Sequence, residues 1–125
     1  MPIRTLTFRT AAGSIPIRVE IAATIDSRRT GLMYRRSLAS NAGMVFLWFS
    51  PVNGAFWMKN TLIPLSIAFW DGRGRIHTIL DMQPCASEPC PFYYARQPYV
   101  GAVEVNQGFL AAHGVVVADR VDIAG

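Results

Sequence analysis

The chain carries a single lysine, and its surroundings are the clearest sign of chemistry in the sequence. Lys59 lies in FWMKNTLIPL (56–65), beside aromatic and proline-bearing apolar residues, whereas the other eleven basic side chains are arginines. In an extended strand Trp57 and Lys59 point to the same side. The indole can then hold the ammonium group by a cation–π contact worth about 0.5–2 kcal/mol. With the amide of Asn60 at the following bend, these residues predict an anion- or carbonyl-binding corner. A lysine that only extends its charged end from a hairpin tip is the alternative.

A carboxylate supplies the second half of the predicted site. Glu104 and Asn106 share one face at the end of the apolar strand 99–105. Because an unpaired buried carboxylate is costly, Glu104 is expected to pair with Lys59 or with an arginine of the preceding helix. If Lys59 and Glu104 line an open pocket instead, they could transfer protons or bind a ligand. Asn106 is also expected to cap a short helix.

The two cysteines, Cys85 and Cys90, are spaced C-x4-C, outside the C-x2-C pattern of thioredoxin-like redox sites. His77 and His113 stand at no recognisable spacing from them, so no metal site is predicted. A disulfide between the cysteines would constrain the unfolded chain by roughly 2 kcal/mol, and it would indicate an oxidising compartment. Two free thiols in a cytosolic protein are the alternative.

Other catalytic and cofactor motifs are missing from the sequence. No serine lies in a G-x-S-x-G context, and no phosphate-binding glycine loop precedes a helix. No cofactor is therefore expected, and no reaction is indicated by a motif.

Composition bounds the class of protein. A chain of 125 residues, 51% apolar and 16% charged, predicts one folded domain spanning 1–125 rather than a disordered protein. No apolar run reaches the roughly 20 residues of a membrane-spanning helix. The net charge of +4 has one concentration, at Arg28/Arg29 and Arg35/Arg36, without a nucleic-acid-binding motif, so no nucleic-acid partner is predicted. The first thirteen residues do not form a signal peptide, which leaves a cytoplasmic protein or one whose leader has been removed.

The elements that must position the site are mostly short strands. Strict apolar alternation over 15–21 and a turn at 71–74 predict hairpins. A packed helix is expected over about 25–38, capped by Thr24 or Asp26, and a short helix near 107–112. Together the patterns predict a mainly β fold, a compact antiparallel β-sandwich or barrel. Exposed edge strands of such a fold are compatible with a homodimer.

Several motifs together resemble one known family, the bacterial and archaeal proteins grouped as domain of unknown function (DUF) family 192. They are GLMYRRSLA (31–39), GMVFLW (43–48), FWMKNTLIPLSIAF (56–69), the PC…PCP segment (84–91) and VEVNQG (103–108). The resemblance implies a small, mostly β domain with one packed helix. It also implies an exported location, because members often carry a signal or lipoprotein leader. Ser66 departs from the family pattern, which has an aspartate there. The family has no assigned activity, so no catalytic role transfers.

These observations favour a binding domain over an enzyme. We expect an exported or envelope-associated domain, periplasmic or extracellular, that binds a small molecule or a protein partner. The candidate ligand-binding residues are Trp57, Lys59, Asn60, Glu104 and Asn106. The alternative is a small hydrolase or lyase that uses Lys59 and Glu104 as an acid–base pair, which requires their charged groups to lie about one hydrogen bond apart.

Overall fold

A computed structural model describes residues 1–124, which form nine strands and two short helices. In chain order these are β1 (Ile3–Thr10), β2 (Gly13–Ala22), α1 (Ile25–Thr30), β3 (Ala42–Val52), β4 (Phe56–Trp57), β5 (Leu65–Trp70), β6 (Ile76–Met82), β7 (Phe92–Tyr93), β8 (Tyr99–Asn106), α2 (Phe109–Ala112) and β9 (Arg120–Ala124). Neither helix in this part of the chain is long and apolar enough to cross a membrane. The mainly β class is confirmed.

Seven of the strands form one sheet in the order β6-β5-β8-β3-β2-β1-β9, and β4 pairs with β7 in a second, two-stranded sheet. The predicted hairpins are present as β1–β2 and β5–β6. All neighbours are antiparallel except β2 and β3, which run parallel. Pro16 precedes Arg18, where the β3 pairing starts, so its missing N–H interrupts no bond to that strand.

The main sheet curves around a first core on one of its faces. Leu6 of β1, Val45 of β3, Val103 of β8 and Val121 of β9 all belong to one buried cluster, although their strands span most of the sheet. Within residues 1–124, Arg75, the residue before β6, forms an isolated bridge with Arg120 of β9, and no continuous ladder joins the two strands. The sheet therefore stays open rather than closing into a barrel.

A second core lies on the opposite face of the central strands. Met44 of β3, Ile67 of β5 and Ala102 of β8 form its floor. The β4–β7 pair covers this floor, with Phe56 and Tyr93 packed against it. The second core is therefore closed by a small sheet and by connecting segments, which leaves room for an opening at its rim.

The first helix is shorter than predicted, because α1 ends at Thr30 and does not continue to residue 38. Its start is confirmed: the Thr24 side chain accepts a hydrogen bond from the Ser27 backbone N–H in a capping box. Gly31 then takes a φ of +50° and Tyr34 one of +66°, values that a right-handed helix cannot accommodate.

Tertiary contacts hold the segment after α1 in its irregular path. Leu32 is buried in the second core, and Arg35 makes a bidentate ion pair with Glu20 of β2. Hydrogen bonds from the Arg35 guanidinium lower the pKa of the Glu20 carboxyl group. Asn106 is not the expected helix cap: the cap of α2 is Gly108, and Asn106 Nδ2 donates to the Leu38 carbonyl oxygen at 2.8 Å.

Gly101→Ala should destabilise the protein strongly, because a Cβ at this position would lie 2.3–2.5 Å from the Trp70 indole. Trp70 is buried in the first core, so we expect a loss of about 1–3 kcal/mol in the free energy of unfolding, measured in denaturant. Gly72→Ala is the matched control: its Cβ would meet no atom within 4 Å, so its stability should stay within about 0.5 kcal/mol. Equal stability of the two variants would contradict this packing.

Candidate functional site

A cleft of about 430 Å³ opens at the rim of the second core, and it is called the Glu104 cleft below. Its lining residues come from α1 and the segment after it, β3, β4, the following bend and β8. Those that define it are Arg28, Arg29, Phe46, Trp48, Phe56, Trp57, Thr61, Tyr99 and Glu104. The cleft thus combines an aromatic wall with a few polar groups.

Glu104 is the unusual member of this lining. It lies on β8 between Met44 of β3 and Ile67 of β5, and only 4% of its surface is exposed. Among residues 1–124 it forms neither an ion pair nor a side-chain hydrogen bond. Burial raises the pKa of its carboxyl group to about 8. At pH 7 the group is therefore mostly neutral, and a neutral carboxyl group both donates and accepts hydrogen bonds.

The aromatic wall of the cleft is held by contacts among its own rings. Phe56 packs edge-on against Phe46, Trp48 and Phe69, with ring centroids 5.1, 6.2 and 5.5 Å away. Tyr99 donates its hydroxyl to the Gly54 carbonyl oxygen at 2.6 Å, and burial raises its pKa to about 12. Because each ring is fixed by its neighbours, the wall is formed before any ligand arrives.

Two arginines of α1 bring positive charge to the cleft. Arg28 Nη1 donates to the carbonyl oxygens of Ala23 and Leu47 at 2.7 and 3.0 Å. Its guanidinium lies 5.2 Å from the ring centroid of Trp48, so its position is set from two sides. Arg29 is exposed and lines the same cleft. An anionic group near these side chains would be favoured.

Lys59 lies beside the cleft but is bound to other groups. The predicted cation–π contact is confirmed, with Nζ 5.4 Å from the Trp57 ring centroid. Its ion pair is with Glu88, at 3.0 Å, so the expected pairing with Glu104 is wrong. Trp57, in contrast, lines the cleft, and its ring stacks on that of Phe92, with ring centroids 5.9 Å apart.

The loop that carries Glu88 is closed by the predicted disulfide between Cys85 and Cys90, which is confirmed. Cys85 forms a backbone bridge with Lys59, and its carbonyl oxygen accepts a hydrogen bond from the Asn60 N–H at 3.0 Å. Asn60 has a φ of +58°, which asparagine tolerates better than most residues. Asn60 therefore makes the bend that follows Lys59 and joins it to the disulfide loop.

Of the five residues selected from the sequence, the structure brings Trp57 and Glu104 into the cleft. Lys59, Asn60 and Asn106 are not among its lining residues in the part of the chain that is described. Sequence reasoning missed the arginines and four of the five aromatic residues. Residues 46 and 48 lie on the same side of β3 by alternation, but nothing local in the sequence shows that this side meets Glu104.

Outside the cleft, the side chains that could bind a metal ion lie apart from one another. Among residues 1–124 no three His, Cys, Asp or Glu side chains come together as a metal site.

Ser66, which departs from the family pattern, donates its hydroxyl to Asp81 at 2.7 Å and accepts from the Gly108 N–H at 3.1 Å. Ser66 therefore ties β5 to β6 and to the turn before α2.

Comparisons with known proteins agree with the motif resemblance. The family model DUF192, described as an uncharacterized ACR, matches residues 7–123. A solved structure of a protein named as a candidate transcription regulator, from Sinorhizobium meliloti 1021, is 33% identical with a TM-score of 0.90, and the match covers 98% of this chain and 94% of that one. A protein of unknown function from Novosphingobium aromaticivorans DSM 12444 is 32% identical with a TM-score of 0.90, covering 96% and 84%. No curated protein matches the chain.

Glu104→Gln should change how stability depends on pH. The folded protein keeps the Glu104 proton up to about pH 8, whereas the unfolded chain loses it near 4.5. Between these values the unfolded state binds fewer protons, so the original protein loses about 1.4 kcal/mol of stability per pH unit. Glutamine does not titrate, so the stability difference should shift in favour of the variant over this range and level off above it. Urea unfolding at several pH values measures this.

His77 also makes stability depend on pH, but its effect cancels in the difference in unfolding free energy between the original protein and the Glu104→Gln variant. Burial lowers the pKa of His77 from its usual 6.5, so this group makes stability rise with pH up to about 6.5 in both proteins. A stability difference that does not vary with pH would show that Glu104 titrates normally and would contradict its burial.

Proposed function

The chain belongs to the DUF192 family, and we propose that it is a binding protein for a small ligand held in the Glu104 cleft. The single observation that carries the proposal is the carboxyl group of Glu104, nearly buried and facing the cleft without a partner among residues 1–124. No side-chain oxygen in the described chain is both fully buried and unpartnered, so the oxygens of this carboxyl group are open to the cleft. Groups in a cleft whose pKa is strongly shifted mark functional sites more often than ordinary core positions.

The size and lining of the cleft support a small molecule. A volume of about 430 Å³ lies within the roughly 300–1,000 Å³ typical of ligand pockets. Such pockets are mainly aromatic and apolar, with a few polar groups that orient the ligand. Phe46, Trp48 and Phe56 provide the apolar surface here, while Glu104 and the hydroxyl of Thr61 provide polar atoms.

The enzyme alternative is less well supported. A hydrolase or lyase mechanism on Lys59 and Glu104 needs the ammonium and the carboxyl group within reach of each other or of one substrate. The ammonium of Lys59 instead binds Glu88 at 3.0 Å. Because Glu104 then stands without a basic partner, binding accounts for the site better than acid–base catalysis.

The name of the Sinorhizobium protein suggests a role in transcription, but the charges of this chain do not favour DNA binding. Arg9 pairs with Asp122 at 2.7 Å, Arg35 pairs with Glu20, and Arg28 binds backbone carbonyl oxygens. These three arginines are therefore engaged within the protein, and the sequence carries no nucleic-acid-binding motif. A ligand-binding role for this chain is compatible with the name of that relative.

Screening a diverse library of small molecules tests the proposal. We expect ligands that raise the melting temperature and perturb tryptophan fluorescence, because Trp48 and Trp57 line the cleft. Trp57→Ala should weaken their binding by about tenfold, which corresponds to about 1.4 kcal/mol. Tyr94→Ala is the matched control, since Tyr94 is an exposed aromatic residue outside the cleft lining. Failure of every compound to bind, or equal affinities in the two variants, would overturn the proposal.

We also propose that the protein works in an oxidising compartment, periplasmic or extracellular. The Cys85–Cys90 disulfide supports this location, because such bonds persist mainly outside the cytosol. Protein taken from its native cells and alkylated at lysis should contain no free thiol. Reduction should lower the free energy of unfolding by about 2 kcal/mol, and a Cys85→Ser, Cys90→Ser variant should match the reduced protein. Two alkylated cysteines in the native protein would contradict the location.

A further inference from the structure

We propose that the ligand of the Glu104 cleft is a small, largely apolar carboxylate whose anionic end lies against Arg28 and Arg29 and whose far end presents an oxygen atom to Glu104. The inference rests on the proposed function and names the ligand class of that same site. Its basis is the set of groups that line the cleft: guanidinium groups from α1, an aromatic wall, and a carboxyl group on the central strand β8. Glu104 lies opposite Met44 of β3, whereas Arg28 contacts Leu47 and Trp48 further along the same strand.

The arginines supply unused donors for an anion. Arg28 employs Nη1 for the Ala23 and Leu47 carbonyl oxygens, and no hydrogen bond to residues 1–124 involves its Nε or Nη2. The Arg29 side chain likewise makes no hydrogen bond or ion pair within the described chain. Guanidinium groups match carboxylates through paired N–H donors, so these two side chains favour an anionic group and disfavour a cationic one.

At the other end of the cleft, Glu104 favours a ligand oxygen over a ligand cation. Its strand neighbours Met44 and Ile67 are apolar, and burial alone raises the pKa of its carboxyl group, without a contribution from a nearby charge. The protonated group offers an O–H donor that nothing in the described chain accepts. A ligand carbonyl or hydroxyl oxygen in the cleft would accept this hydrogen bond in place of solvent.

The other titratable and charged groups that line the cleft do not compete with this arrangement. They are Arg28 and Arg29 of α1 and Tyr99 of β8. The Tyr99 hydroxyl is engaged by the Gly54 carbonyl oxygen, and burial raises its pKa to about 12. A change in ligand binding between pH 7 and 9 would therefore report on Glu104, provided that the ligand itself does not titrate there.

Three para-substituted benzene derivatives test the ligand class by calorimetry. 4-Acetylbenzoate carries both groups, 4-isopropylbenzoate replaces the ketone with an apolar isostere, and 4-acetylbenzylamine replaces the anion with a cation. We expect 4-acetylbenzoate to bind at least about tenfold more tightly than either analogue. Its affinity should fall as pH rises through about 8, where Glu104 loses its proton.

Protein variants locate the two ends of the ligand. Arg29→Gln should weaken 4-acetylbenzoate binding by about fivefold or more, whereas Arg36→Gln, at an exposed arginine outside the cleft lining, should not. Glu104→Gln keeps an N–H donor and should bind with an affinity that no longer varies with pH. Because Arg29 is exposed, its variant should fold normally, which keeps the test valid if the Glu104 variant does not fold.

The outcomes separate this inference from the function on which it rests. Tighter binding of the amine, with an affinity that rises with pH, would overturn the ligand class and leave the cleft as a binding site. If library ligands bind in the cleft while both benzoates fail to bind, the ligand class is likewise wrong and the cleft remains a binding site. Failure of every compound, the benzoates included, would overturn the proposed function itself.

Discussion

The burial of an acid without a partner is the constraint on which the site depends. Glu104 lies on β8, a strand flanked on both sides and covered on both faces. Water is largely excluded there, and within the described chain no cation compensates a negative charge. Burial raises the pKa of the carboxyl group to about 8, so at pH 7 the protein carries a neutral hydrogen-bonding group among apolar neighbours. The group lines the Glu104 cleft.

The division of the interior into two cores explains how the fold tolerates this residue. Alternation along β8 sends Val103 and Val105 to the first core, which is enclosed by the curved sheet together with α2 and the segment after it. Ala102 and Glu104 face the second core, which is covered by short strands and connecting segments. A cover made from such short pieces can leave a cleft at its rim, and the Glu104 cleft opens there. The first core and the candidate site therefore lie on opposite faces of the same central strands.

Strand β4 forms one wall of the cleft, and β7 and the disulfide loop pack against β4 and the residues that follow it. Lys59 lies against Trp57 and binds Glu88, while its backbone pairs with Cys85. Lys59 thus helps to hold the Trp57 side chain in position, and Trp57 rather than Lys59 lines the cleft. An ion pair as exposed as this one contributes at most about 1 kcal/mol, so the disulfide and the backbone bridge do more to hold the wall.

By itself the sequence indicated most of the strands, the hairpins, the family and, as one of two alternatives, the disulfide, because alternation, turn residues and short loops act between near neighbours. It did not indicate β7, which lies in the proline-rich loop and is held by its pairing with β4. It also placed Trp57 on the same side as Lys59. Only the tertiary structure decided that α1 stops at Thr30, where the burial of Leu32 and a positive φ at Gly31 outweigh helical spacing. It likewise decided that Lys59 meets Glu88 and not Glu104, and that arginines face the cleft, since charges far apart in the chain become partners only when packing brings their elements together.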